Sequence, residues 1–282
     1  MKLVRYGDQG MAQPGMIDDN GVLRSLAGYV EDITPDVLSD ESLDRLREFD
    51  PETLIAVEDN PRMGIPVAGF GKFLCIGLNY SDHAAETGAD IPEHPILFFK
   101  ANSAIVGAND DVVMPRGSTK TDWEVELGVV IGTEAKYVSK EDALDYVAGY
   151  TIVNDVSERH FQTQLTGQWT KGKSCDTFGP TGPFLVTRDE VPDPQKLNMY
   201  LDVNGTRMQT GNTSTMIFSV AEIIEHLSQL FTLHPGDIIT TGTPPGVGMG
   251  MKPEPQFLKP GDVMELGIEG LGRQRQVVSQ DA

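Results

Sequence analysis

The chain has 282 residues, 39% of them hydrophobic and 23% charged, with a formal charge of −20 at pH 7. This is globular composition, long enough for one large domain or a large domain with a small one, and it excludes a disordered chain. So negative a molecule is repelled by phosphate backbones and anionic lipid, so neither nucleic acid nor a membrane surface is expected as a partner.

The chain opens with Met1-Lys-Leu-Val-Arg-Tyr-Gly, which has no apolar signal core, and no window approaches the ~18 apolar residues of a membrane span. Lys2 to Tyr6 alternates as a short strand. Met16-Ile17 and Val22-Leu23 flank Asp18-Asp19-Asn20-Gly21, a hairpin signal. Residues 36–58 read as short helices with little apolar depth. Pro61, Pro66 and Gly69 then punctuate the chain, which places a boundary near residue 68 between a small N-terminal domain (1–68) and a larger one (69–282). The first 68 residues carry 14 Asp/Glu against 6 Lys/Arg, which reads as a solvated face.

Strand candidates crowd the rest: Phe73–Leu78, Ile96–Phe99, Trp123–Ile131, Tyr150–Asn154, Phe184–Thr187, Leu197–Val203, Ile238–Thr241 and Val263–Ile268. Asn204-Gly205 marks a second hairpin. Two helices are expected, a short one over about 140–147 and one over 219–231. In the second, Ser219 and Glu222 form a capping box and Ile223, Ile224, Leu227, Leu230 and Phe231 share a face. The pattern predicts a β-rich α+β protein rather than repeated βαβ units. Cys75 lies in the apolar run Phe73-Leu-Cys-Ile76 and reads as core; Cys175 follows Lys173-Ser174 and reads as packed. Two such cysteines make no disulfide framework, and a cytoplasmic location is expected.

Four constellations carry chemistry. In Trp123-Glu-Val-Glu-Leu-Gly-Val-Val-Ile131, residues two apart share a strand face, so Glu124 and Glu126 point together, opposite Trp123, Val125 and Leu127. Two carboxylates one pleat apart repel unless a cation lies between them, and oxygen-only ligands favour Mg²⁺, Mn²⁺ or Ca²⁺. A solvated edge-strand face fits the same two residues equally well. Asp155, at the end of the strand Tyr150–Asn154, is the candidate third ligand. Ser81 could cap a short helix on which His83 and Glu86, three apart, are neighbours. Such a pair suits proton transfer from water, although a surface ion pair reads the same way. Gly167-Gln-Trp-Thr-Lys-Gly-Lys-Ser174 satisfies the phosphate-loop pattern literally, but a polar segment precedes it and Gly179, Pro180, Gly182 and Pro183 follow where a long helix is needed. The pattern reads as accidental, with Lys173 free to face an anionic substrate. Finally, Thr240-Thr-Gly-Thr-Pro-Pro-Gly-Val-Gly-Met-Gly250 is a glycine-rich turn whose N–H groups could meet a carboxylate.

The ordered series Gly77-Leu-Asn-Tyr80-x-Asp82-His83-x-x-Glu86, Ile96-Leu-Phe-Phe-Lys100, Glu124-Val-Glu126-Leu-Gly-Val-Val, Asn154-Asp155-Val-Ser-Glu-Arg159, Lys173-Ser174 and Thr241-Gly-Thr243-Pro resembles the fumarylacetoacetate hydrolase superfamily. Its acylpyruvate and diketo-sugar-acid hydrolase branch is the most similar, over about residues 70–270. The resemblance implies a catalytic domain with a rolled mixed β-sheet behind a small N-terminal domain, in a homodimer. It implies one Mg²⁺ or Mn²⁺ per chain on Glu124, Glu126 and Asp155, a catalytic His83–Glu86 pair on a mobile lid helix, and a catalytic Lys173. Tyr80, Lys100, Arg159, Gln162 and Thr243 match pocket-lining positions. The implied reaction is C3–C4 cleavage of a small 2,4-diketo acid to pyruvate and a second acid. Decarboxylation or tautomerisation of a related keto acid passes through the same enolate, and a non-catalytic metal-dependent binding protein is the rival of another class. The Gly167–Gly172 stretch departs from the shorter acylpyruvate hydrolases, which bears on the substrate.

Overall fold

The computed structural model describes residues 1–88 and 90–281. In chain order its strands are β1 (Lys2–Tyr6), β2 (Gln13–Ile17), β3 (Leu23–Ser25), β4 (Phe73–Gly77), β5 (Ile96–Phe99), β6 (Ile105–Gly107), β7 (Val112–Met114), β8 (Thr121–Asp122) and β9 (Val125–Ile131). They continue as β10 (Val147–Asn154), β11 (Ser157–Glu158), β12 (Gly179–Thr187), β13 (Asn198–Val203), β14 (Thr206–Asn212), β15 (Ile238–Thr240), β16 (Val263–Ile268) and β17 (Gly272–Gln280). The α-helices are α1 (Asp40–Arg47), α2 (Ser81–Thr87), α3 (Thr170–Lys173) and α4 (Val220–Leu230). The expected β-rich α+β class with mixed sheets is what the chain adopts.

Ten strands form one mixed sheet, ordered β3-β2-β1-β12-β10-β9-β15-β4-β5, with β6 added parallel to β12. A second sheet runs β14-β13-β16-β17-β7. The strand β9 alternates as expected. Val125, Leu127, Val129 and Ile131 join Leu201, Leu266 and Ile268 of the second sheet and Ile223, Ile224 and Leu227 of α4 in one core. A second core lies against Phe73, Cys75, Phe98 and Val130, and reaches Leu3, Leu26, Ile33 and Leu43 of the N-terminal segment. The ten-stranded sheet runs across the expected boundary near residue 68, because β1 pairs antiparallel with β12.

Both hairpins form: β2 pairs with β3 around Gly21, and β13 with β14 around Asn204-Gly205, both of which sit at positive φ. The helix α4 carries the expected capping box. Four elements differ from expectation for local reasons. The strand expected from Trp123 begins at Val125, because the N–H groups of Trp123 and Glu124 are taken by the side chains of Asp122 and Asn154 at 2.8 and 3.2 Å instead of by a ladder. The helix expected over 140–147 is a 3₁₀ turn, Ala143–Tyr146, since the chain is already paired with β9 from Val147. The strand expected from Phe184 starts at Gly179, where Gln274 Nε2 serves the Ile152 and Gly182 carbonyls at 2.9 Å across the break in the ladder. Tyr80, not Ser81, is the N-cap of α2; the Ser81 hydroxyl donates instead to Thr215 O at 3.1 Å.

Candidate active site

The register of two neighbouring strands assembles the acidic cluster. β9 lies inside the sheet between β10 and β15, and Glu126 on it and Glu124 just before it are both buried, which rules out a solvated edge. Val153 pairs with Glu126 and Asn154 with Val125, and the Asp155 N–H then donates to Glu124 O at 2.8 Å. One ligand atom each from Glu124, Glu126 and Asp155 falls within 4.8 Å of the others, and all three residues are buried. Burying three carboxylates together is costly without compensating positive charge.

Cations supply part of it. Lys173 Nζ is 2.6 Å from both Glu124 Oε2 and Asp155 Oδ2. Arg159 Nη2 is 2.7 Å from Glu124 Oε1, and Lys100 Nζ pairs with Asp155 Oδ1. Burial works to raise the Glu124 carboxyl, but Lys173 and Arg159 reverse it and hold Glu124 at about 2. Glu126 makes no ion pair among the described residues: burial first, then the charges of Asp155 and Glu124, outweigh Lys173 and push it well above the usual carboxylate range. Its Oε2 accepts the Gly242 N–H at 2.8 Å, from the glycine-rich turn after β15. An all-oxygen donor set with one carboxyl left short of positive charge fits a hard divalent cation, which would let Glu126 ionise.

Lys173 reaches the cluster because Gly172 lets α3 close on the π-helical turn His160–Gln164: a Cβ at Gly172 would stand 2.3 Å from Glu158 O and 2.4 Å from Gln162 N. The segment Gly167–Ser174 thus forms a one-turn helix whose lysine enters the acidic cluster, unlike a phosphate loop opening a long helix.

A cavity of about 190 Å³ lies over the carboxylates. His83, Arg159, Gln162, Lys173 and Thr243 line it, together with Glu124 and Glu126. Ile76, Phe98, Trp169, Val247 and Met249 make its apolar walls. Trp169 packs so tightly on Gly77 that a Cβ there would stand 2.2 Å from the indole. His83 Nδ1 is 3.1 Å from Glu86 Oε2 on α2, and Gly88, at φ 68°, ends that helix. Thr243 Oγ1 donates to Val125 O at 2.9 Å and accepts from Gln209 Nε2 at 2.8 Å.

Two expected lining residues are elsewhere. Tyr80 is buried in the core with its hydroxyl 3.2 Å from Met199 Sδ, and Lys100 lies behind Asp155, donating also to Val156 O at 2.9 Å. Both fill the apolar or charged layer beneath the site rather than the cavity. Asn79 and Asp122 also support the site, although the sequence patterns single out neither as a functional residue. Asn79 Nδ2 donates to Phe218 O and Thr241 O at 2.9 and 2.8 Å, fixing the base of α2. Asp122 accepts from Arg159 Nε at 2.8 Å. Asn79 stood within the first motif, and Asp122 beside Trp123-Glu124; position next to a motif was the only signal.

The fumarylacetoacetate hydrolase C-terminal family model matches residues 72–279. A Burkholderia ambifaria protein that carries only a provisional hydrolase name is 59% identical over 276 residues, 98% of each chain. The solved 2-hydroxyhepta-2,4-diene-1,7-dioate isomerase of Mycobacterium marinum is 33% identical with a TM-score of 0.76, over 100% of this chain and 99% of that one. The maleylpyruvate hydrolase of Sphingobium sp. SYK-6, solved with manganese and pyruvate, is 28% identical with a TM-score of 0.84 over the whole of both chains.

Proposed function

Since the chain belongs to the fumarylacetoacetate hydrolase family, we propose that it is a divalent-metal-dependent hydrolase that splits the C3–C4 bond of a small 2,4-diketo acid into pyruvate and a second acid. The observation that carries this reading is one cavity lined by Glu124, Glu126, Lys173 and His83, with Asp155 grouped against the two glutamates and Glu86 held against the His83 ring. Glu124, Glu126 and Asp155 would hold Mg²⁺ or Mn²⁺. When bound, the ion supplies Lewis acidity to the substrate's carboxylate and 2-keto oxygens.

The chain's own residues do the rest. With Nδ1 held by Glu86, the His83 ring takes a proton from water at Nε2, and Glu86 stabilises the imidazolium. The water oxygen bonds to C4. The C3–C4 bond then breaks, its electron pair passing to the pyruvate enolate, and a proton returned to C3 completes pyruvate. The Lys173 ammonium opposes the enolate's negative charge. Gln162 offers a polar contact to the substrate, Arg159 holds Glu124 in place, and Phe98, Val247 and Met249 face the substrate's acyl arm while excluding water.

The isomerase relative favours a second reading, tautomerisation or decarboxylation of a related keto acid, which needs the enolate but no attacking water. Metal-stripped protein assayed on acylpyruvates, oxaloacetate and 2-hydroxydienoates, with and without Mg²⁺ or Mn²⁺, separates the two. The hydrolase reading expects metal-dependent pyruvate release from an acylpyruvate that falls about 10²–10⁴-fold in His83→Ala. Isomerisation or decarboxylation without acylpyruvate cleavage would favour the second reading.

A further inference from the structure

Asp122 does not line the cavity, yet it joins the two halves of the site. It is fully buried at the end of β8. Its Oδ2 accepts from Arg159 Nε at 2.8 Å and from the Met249 N–H at 2.9 Å. Its Oδ1 accepts from the Gly248 N–H at 2.6 Å and from the Trp123 N–H at 2.8 Å. Arg159 in turn pairs with Glu124. The loop that Asp122 holds includes Gly246, whose N–H lies 3.2 Å from both carboxylate oxygens of Glu86 and whose carbonyl accepts Trp123 Nε1 at 3.0 Å. A continuous polar path therefore runs from Glu124 through Arg159, Asp122 and residues 246–249 to Glu86 and His83.

We propose that Asp122 is a positioning residue that ties the α2 helix to the carboxylate cluster through the 246–249 loop, so that Glu86 stays against His83 only while that loop is anchored. The catalytic part of this rests on His83 and Glu86 acting as the proton-transfer pair. Charge decides the argument. An ionised carboxylate accepts all four donors, whereas an asparagine offers one acceptor oxygen and turns an NH₂ toward donors, leaving buried N–H groups unpaired. The first turn of α2 has separate anchors, Ser81 to Thr215 O and Thr215 Oγ1 to Asp82 Oδ2 at 3.2 Å. Glu86, in the last turn, reaches the loop.

The test is hydrogen–deuterium exchange on the metal-free full chain, wild type against Asp122→Asn, with a kinetic cycle alongside. Exchange over residues 81–88 should rise about tenfold in Asp122→Asn while α4 is unchanged. In the cycle, Asp122→Asn with Glu86→Gln should lose no more kcat than Glu86→Gln alone. Unchanged exchange at 81–88, equal acceleration in α4, or additive kinetic losses would overturn the proposal. If Asp122→Asn does not fold, Trp123→Phe removes the loop's other anchor and should loosen α2 in the same way; unchanged α2 exchange there would count against it. A wild-type enzyme that releases no pyruvate would defeat the hydrolase reading alone, since exchange reads the anchoring without turnover.

Discussion

At the residue scale, the site is a balance of buried charge. Lys173 pairs with two of the three carboxylates at 2.6 Å, while burial and the charges of those two push Glu126 well above the usual carboxylate range. Lys173→Met should lower kcat for acylpyruvate cleavage by about 10²-fold, as expected for loss of a group that opposes developing negative charge, with the far-ultraviolet spectrum unchanged. A kcat within twofold of wild type would remove Lys173 from the chemistry. The cysteines behave as packing. Cys75 is fully buried, and burial pushes the Cys175 thiol up to about 11. Iodoacetamide at pH 7.5 should therefore modify Cys175 more slowly than free cysteine and leave Cys75 untouched in native protein. The pairing of Glu124 with Glu126 was half legible in the sequence: alternation put them on one face but fitted a solvated edge equally well, and the resemblance joined Asp155 to them. Asp122 was not legible, because its partners at Gly248 and Met249 lie more than 120 residues away and are backbone groups without a side-chain signature.

At the element scale, the two helices that matter are held differently. α4 buries Ile223, Ile224 and Leu227 and is closed by a capping box, in which the Ser219 side chain accepts from Glu222 N. Ser219→Ala should destabilise the protein by about 0.5–2 kcal/mol in urea denaturation. Lys140 first, then Ser219, holds the Glu222 carboxyl at about 2, below its ordinary value of 4.5. A depressed carboxylate stabilises the fold above its unfolded value, so this contribution is present above about pH 4.5 and lost as pH falls toward about 2. The difference between wild type and Glu222→Gln should shrink over that window; a constant difference would mean the ionised cap contributes nothing. α2 is short and polar, and exchange over residues 81–88 should slow when Mn²⁺ and oxalate are added together. Equal protection in both states would make α2 fixed structure. The long apolar strands and α4 were legible from period and capping, whereas the 3₁₀ turn at Ala143–Tyr146 and the start of β9 depended on tertiary pairing and on side chains that took backbone donors.

At the scale of the whole molecule, the order of the sheet is what makes a site from scattered motifs. β4, β9 and β15 come from residues far apart in sequence, and their adjacency delivers α2, the acidic pair and the glycine-rich turn to one cavity. Nothing in local pattern encodes that adjacency; only the ordered series of motifs, taken as a family resemblance, anticipated it. The same architecture makes the phosphate-loop pattern accidental, since Thr170–Lys173 is a single helical turn and opens no long helix. MgATP should not raise the melting temperature beyond the effect of Mg²⁺ alone, and a concentration-dependent rise would contradict this. Turnover is proposed to depend on one divalent ion held by Glu124, Glu126 and Asp155. Calorimetric titration of metal-stripped protein with Mn²⁺ tests it most directly: a single ion should bind per chain in the wild type and none in the Glu126→Gln, Asp155→Asn double variant, whereas undiminished binding in that variant would contradict the assignment.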